Sequence, residues 1–255
     1  MTIGVAQTRP VKGDIPRNIE HHLRLVELAV VQGADVVIFP ELSLTGYEPR
    51  LAGELATRAD DGRFDVLQDA SDTHDVTLGV GVPIRAPDGV RIGLVLFQPR
   101  QPRQVYAKEY LHPDEEPYFV PGANYVGPVG GGDKIALAIC FEISVPQHAE
   151  DASRRGAQVY VASVAKSVSG IDQALERLSG IAREYSMYVC MANCVGMSEE
   201  VPSAGRSAIW NPNGNLLSQL DDAQEGVLLL DLSRHASHVA VLEAPSDFPA
   251  SSFTR

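Results

Sequence analysis

The chain has 255 residues, 21 of them Lys or Arg and 33 Asp or Glu, for a formal net charge of −12. That balance, with a pI near 5.0, argues against a protein that neutralises nucleic-acid phosphates or docks on an anionic membrane surface, and no apolar run approaches the ~20 residues that span a bilayer. A hydrophobic share of 44% and a charged share of 21% belong to an ordinary folded protein rather than a disordered one.

The first strand-like run is Thr2 to Gln7. Asn18 to Val31 places apolar residues at helical spacing, and Ala34 to Pro40 is an unbroken apolar run suited to a strand buried on both faces. This is a β-α-β opening. Phe64 to Asp72 reads as a second helix. Val76 to Val82, Val90 to Gln98 and Gln104 to Lys108 read as strands, with Asp88-Gly89 as a hairpin turn between the first two. After a stretch rich in Pro and Gly come a strand over Lys134 to Ile139, a helix over Pro146 to Arg155, a strand over Gln158 to Val164 and a helix over Asp172 to Tyr185. Strands are then predicted over Tyr188 to Cys194, Ser207 to Trp210, Leu216 to Leu220 and Val227 to Leu232, with a turn at Asn211 to Gly214. The alternation of helices and hairpins predicts a mixed α/β chain. Residues 1–242 are expected to form one domain. The tail, 243–255, has no period and is expected to be loose or docked on a partner subunit.

Several patterns lead nowhere. Gly127 to Lys134 resembles a phosphate-binding loop, but Asp133 stands where the lysine belongs and a strand follows instead of a helix. Ser163-x-x-Lys166 matches a serine-nucleophile pattern without its companions, so Ser163 is taken as a strand end and Lys166 as an exposed charge. Cys190 and Cys194 lie in an apolar run with no complementary pair for zinc and are expected to be inert. The seven His form no motif at metal-ligand spacing. No cofactor or metal is expected. Three Cys, an odd number, do not suit a disulfide framework. The opening residues also lack a secretion signal. A cytoplasmic protein with free thiols is therefore expected.

Three strand ends carry reactive side chains. Glu41 follows the apolar run ending in Phe39-Pro40, Lys108 follows Tyr106-Ala107, and Cys140 follows Ile135 to Ile139. Each has a bland reading: a helix-start carboxylate, a solvated ammonium, a core thiol. Together they suit acyl transfer. A carboxylate can take the thiol proton, and an ammonium with the backbone N–H of Phe141 can hold the oxyanion that forms on a carbonyl. An activated Cys140 would alkylate below the pH an ordinary thiol needs.

At these residues the sequence resembles the nitrilase, or carbon–nitrogen hydrolase, superfamily, over nearly its whole length. Phe39-Pro40-Glu41 with Gly46-Tyr47 is similar to the family's glutamate motif, Tyr106-Ala107-Lys108-Glu109-Tyr110-Leu111 to its lysine motif and Ile139-Cys140-Phe141-Glu142 to its cysteine motif. Ala182-Arg183-Glu184, Asn193, Gly205-Arg206-Ser207 and Pro212-Asn213-Gly214 fall in step downstream. The resemblance implies a four-layer αββα sandwich, Cys140 as nucleophile, Glu41 as general base and Lys108 as stabiliser of the tetrahedral intermediate. The family's second glutamate lies seven residues before the glycine of an F-x-P-G segment. Counting back from Gly122 (122 − 115 = 7) lands on Glu115, with Glu116 as the fallback. By analogy, Tyr47, Phe141 and the loop from Val164 to Ser169 would wall the pocket. A homodimer or higher homo-oligomer is also implied.

Two departures narrow the expectation. No Arg follows Cys140, unlike N-carbamoyl-D-amino-acid hydrolases, and the membrane helices of lipoprotein N-acyltransferases, which share C-F-E, are absent. The expected reaction is hydrolysis of a small amide through a Cys140 thioester, releasing ammonia or an amine. A nitrilase or ureido hydrolase is the alternative, and a non-catalytic binding protein on the same scaffold is the rival of another class.

Overall fold

The computed structural model describes residues 1–122, 129–130 and 134–242. Most of the Gly127 to Lys134 segment and the tail 243–255 lie outside the described residues.

Chain order begins β1 (Thr2–Gln7), α1 (Ile15–Val31), β2 (Val36–Ile38), α2 (Ala52–Leu55), α3 (Asp65–His74), β3 (Thr77–Ala86), β4 (Gly89–Phe97) and β5 (Gln104–Ala107). It continues with β6 (Ile135–Ile139), α4 (Pro146–Arg154), β7 (Val159–Ser163), α5 (Ile171–Tyr185) and β8 (Tyr188–Ala192). The last elements are β9 (Val195–Ser198), β10 (Val201–Ala204), β11 (Ala208–Trp210), β12 (Leu216–Gln219), β13 (Gly226–Asp231) and β14 (Ala236–Val241).

Helix α1 starts three residues before the apolar period suggests. The Asp14 side chain accepts from Arg17 N and Pro16 occupies the first turn, so capping chemistry rather than hydrophobicity sets the boundary. Strand β3 likewise runs past Val82 to Ala86, pairing with Gly89 across the turn. The run predicted as one strand to Cys194 ends at Ala192, because the backbone N–H of the buried Asn193 donates to Ser207 Oγ instead of a neighbouring strand. The hairpin β9–β10 and the edge strand β14 carry exposed side chains, and neither has an apolar stripe to announce it.

One sheet has seven strands in the order β14-β13-β1-β2-β3-β4-β5 and a second has five in the order β12-β11-β8-β7-β6. Strands β1, β2 and β3 pair in parallel, as do β6, β7 and β8, and the outer strands pair antiparallel. Alternation along the strands of the first sheet sorts the core. Ile3, Val5, Val36, Ile38, Leu94 and Leu96 join the cluster that holds Leu137, Ile139, Val161 and Met191 of the second sheet. Val37, Phe39, Leu78, Val80, Val95 and Phe97 point the other way, against Ile19, Leu25 and Val26 of α1 and Leu67 of α3. Helix α5 packs Leu178 and Ala182 on the outer side of the second sheet. The result is a four-layer αββα sandwich, and the run through β2 is buried on both faces. Among the described residues no helix is long and apolar enough to cross a membrane.

Candidate active site

Three strand ends from two sheets meet at one end of the sandwich. Glu41 sits in the turn after β2, tied down by Ser43 N donating to Pro40 O (3.2 Å) and Leu44 N donating to Gly81 O (2.9 Å). Gly81 lies directly beneath: a Cβ there would fall 2.3 Å from Pro40 O and 2.4 Å from Leu42 N, so any side chain at 81 would displace the glutamate turn. Ser163 Oγ donates to Phe39 O at 2.8 Å, stitching the end of β7 to the end of β2. Ser163 is a strand end, as its sequence reading expects, and its hydroxyl is a buried tie.

Lys108 follows β5 and is wholly buried. Its Nζ donates to Glu41 Oε1 at 2.8 Å and to Glu115 Oε1 at 2.7 Å. Gly122 N donates to Lys108 O, and a Cβ on Gly122 would sit 2.3 Å from Ala107 Cβ, so glycine lets the F-x-P-G segment close over the lysine. Glu115 is buried and also accepts from Tyr47 OH (2.9 Å) and His112 N (2.8 Å). Glu116 is exposed and takes no part in this cluster.

Cys140 opens a 3₁₀ turn, Cys140–Ser144, in the left-handed region at φ 42°, a conformation that costs a non-glycine residue ~1–3 kcal/mol. Glu142 holds that turn. Its Oε2 accepts from Ile139 N and Tyr106 OH, both at 2.7 Å, and its Oε1 accepts from Glu109 N at 2.8 Å. One buried carboxylate therefore bridges the backbone beside the thiol and the backbone beside the lysine. Tyr106 OH also meets His148 Nε2 (2.9 Å), and His148 Nδ1 meets Tyr160 OH (2.8 Å). The sequence reading missed this role. Its only signal was a glutamate two places after the cysteine.

The protonation pattern follows from burial and neighbours. Burial raises the Glu41 carboxyl, and the Lys108 ammonium partly offsets it. Burial opposes the charge on Lys108, but the Glu41 carboxylate and the other anionic neighbours outweigh it and hold the amine protonated. Burial and the Glu41 charge push the Cys140 thiol up to about 11, while Lys166 and Lys108 pull the other way. The resting thiol is therefore protonated, and its upward shift runs against the expectation that it alkylates below the pH an ordinary thiol needs. Glu41 Oε2 is buried without a hydrogen bond, and the neighbouring Cys140 thiol is a small influence that lowers this carboxyl against the larger effect of burial. The Glu41 carboxyl thus has one oxygen bonded to Lys108 and one without a hydrogen bond. Cys190 and Cys194 are free, and burial pushes both thiols far higher.

Above these residues opens a cavity of about 500 Å³ lined by Tyr47, His112, Tyr118, Cys140, Phe141, Lys166, Ser198 and Glu199, among others. The Phe141 ring meets the His112 ring edge-on, with centroids 5.2 Å apart. Lys166, expected as a solvated strand-end charge, instead faces this cavity. The β9–β10 hairpin supplies a wall that the sequence did not indicate. Among the described residues no group of three or more His, Cys, Asp or Glu could hold a metal ion.

Carboxylate, ammonium and thiol at three strand ends drawn from the two sheets, on this sandwich, define a class of protein. The sequence model of the carbon–nitrogen hydrolases matches residues 2–238, and the chain belongs to that family. It is 28% identical over 210 residues to a 2-oxoglutaramate amidase of Bacillus subtilis, covering 80% of each chain. It is 24% identical to a glutamine-dependent NAD(+) synthetase of Aquifex aeolicus over 91% of this chain, but it spans only 42% of that protein's length. The crystal structure of an amidase from Nesterenkonia sp. superposes with a TM-score of 0.81 at 25% identity, covering 91% of this chain and 90% of that one.

Proposed function

We propose that the chain hydrolyses a carbon–nitrogen bond in a small amide, with Cys140 as nucleophile. The observation that carries this reading is the buried Lys108 ammonium held between Glu41 and Glu115, with one Glu41 oxygen unbonded and the protonated Cys140 thiol close enough to feel that carboxylate's charge. Glu41 takes the Cys140 proton as sulfur attacks the amide carbonyl. The negative charge that builds on oxygen is held by Lys108 and by the Phe141 N–H, at the open start of a helical turn, each worth ~3–4 kcal/mol in the transition state. Collapse breaks the C–N bond, and the departing nitrogen takes the proton back from Glu41. Water then gives a proton to Glu41 and attacks the thioester, and the acid leaves as the thiol is restored. Glu115 and Tyr47 position Lys108 rather than touch the carbonyl. Relatives named amidases support an amide as substrate, and relatives named nitrilases make a nitrile the alternative.

Replacing Cys140 with Ala should abolish ammonia release from amides while circular dichroism and melting stay native. Substrate-treated Glu41→Gln protein should carry an acyl adduct on Cys140 by mass spectrometry, because deacylation lacks its base. Full turnover by the Cys140→Ala protein would overturn the assignment.

A further inference from the structure

Among the described residues, the charged groups around the cavity are paired with one exception. Arg50 lies 4.0 Å from Glu199, His112 lies 3.5 Å from Asp114, and Lys108 is shared by Glu41 and Glu115. Lys166 also lines the cavity, beside Cys140, and among the described residues its ammonium has no carboxylate within ion-pair distance. Yet its backbone is tightly placed. Lys166 N donates to Asn193 Oδ1 at 2.8 Å, and its carbonyl accepts from Asn193 Nδ2 at 3.2 Å and Ala204 N at 2.9 Å. Asn193 is itself fully buried and held by Gly205 O and Ser207 Oγ. A buried amide thus fixes the root of one half-buried lysine that lines the cavity and has no ion pair among the described residues.

The floor beneath is net negative when both its glutamates are ionised, two carboxylates against one ammonium, so an anionic substrate would be repelled unless a cation stood beside it. We propose that Lys166 binds a carboxylate on the acyl chain of the substrate, so that the preferred amides are small monoamides of dicarboxylic acids. This rests on the amidase reading above. The competing role for Lys166 is to offset the floor's charge and ease ionisation of the nearby thiol, in which case charged and neutral amides would depend on it alike. A charge-assisted pair would instead select between them.

The test compares malonamate, succinamate and glutaramate with the neutral amides of equal carbon number, propionamide, butyramide and valeramide. The wild type should favour the acid at one or more chain lengths. In Lys166→Met the ratio of kcat/KM for that acid over its neutral partner should fall roughly 10- to 100-fold, with the loss in KM, while Lys166→Arg should keep most of the preference. With no variant involved, the matching dicarboxylate should inhibit wild-type turnover of the neutral amide more strongly than the monocarboxylate of equal length. A wild type active on neutral amides without preference for acids overturns this proposal alone. An unchanged ratio in Lys166→Met, or an equal fall in kcat for both classes, does the same. A wild type inert on every amide overturns the amidase reading and this proposal with it.

Discussion

Glutamate 142 offers the sharpest perturbation of the site, because it touches neither cavity nor thiol and yet spans the two strand ends that carry Lys108 and Cys140. Each of its oxygens faces a backbone N–H, Glu109 N at 2.8 Å and Ile139 N at 2.7 Å. In Glu142→Gln the amide nitrogen must face one of them, setting donor against donor in a fully buried place. One unsatisfied buried group costs about 1–3 kcal/mol. For a chain of this size that lowers the melting temperature by about 2–12 °C. The catalytic loss should be larger than stability alone explains. A shift of about 1 Å between sulfur and ammonium can cost ~100-fold in rate. Steady-state kinetics on an amide should therefore show a fall in kcat with KM little changed, since the cavity walls are untouched, and melting should show the stability loss. A variant that melts and turns over like the wild type would refute the bridging role. A variant that loses stability but keeps kcat would leave Glu142 a structural tie only.

Two further outcomes follow from the charges. Glu41→Gln removes a carboxylate that raises the Cys140 thiol, so its thiolate should appear at a lower pH than the wild type's, where the thiol sits at about 11; the pH dependence of alkylation at Cys140, followed by mass spectrometry, reads this apart from Cys190 and Cys194. Hydrolysis should nevertheless fall ~10²–10⁴-fold for want of a base, and a thiol titrating unchanged would contradict the pairing. His22, buried against Phe39 and bonded to Ser43 Oγ and Asn18 O, is lowered by burial to about 3. An unfolded histidine protonates near ~6.5, so below that pH the unfolded chain holds the extra proton and stability falls with pH, by about 3 kcal/mol from this residue at pH 4.5. Urea unfolding of His22→Gln should lose about 3 kcal/mol less than the wild type between pH 7 and pH 4.5, and equal losses would exclude His22 as the source.

Much of the sandwich is legible in the chain because its inner strands are short runs with both faces buried. Val36-Val37-Ile38 and Val159 to Ser163 stay apolar residue after residue, a pattern that only a covered strand tolerates. Elements at the margin escape this reading for the opposite reason. In β14, Val239 and Val241 face solvent, and in β9–β10, Met197 and Val201 do, so no stripe marks them. The start of α1 was misplaced because a cap and a proline set it, not an apolar period.

The site divides along the same line. The identities of Glu41, Lys108 and Cys140, each just past an apolar strand, are properties of local sequence, and they are enough to suggest acyl-transfer chemistry. Their electrostatic states are not local. Lys108 keeps its charge in a dry interior only because Glu41, 67 positions away, and Glu115 converge on one nitrogen. Glu142 becomes a bridge only because β5 and β6 end side by side in different sheets, and Lys166 becomes a cavity charge only because Asn193 turns its loop inward. Side-chain chemistry and strand propensity travel with the residue, whereas dielectric, pairing and direction arise from atoms brought together by strand pairing and sheet packing. Those belong to the folded chain alone.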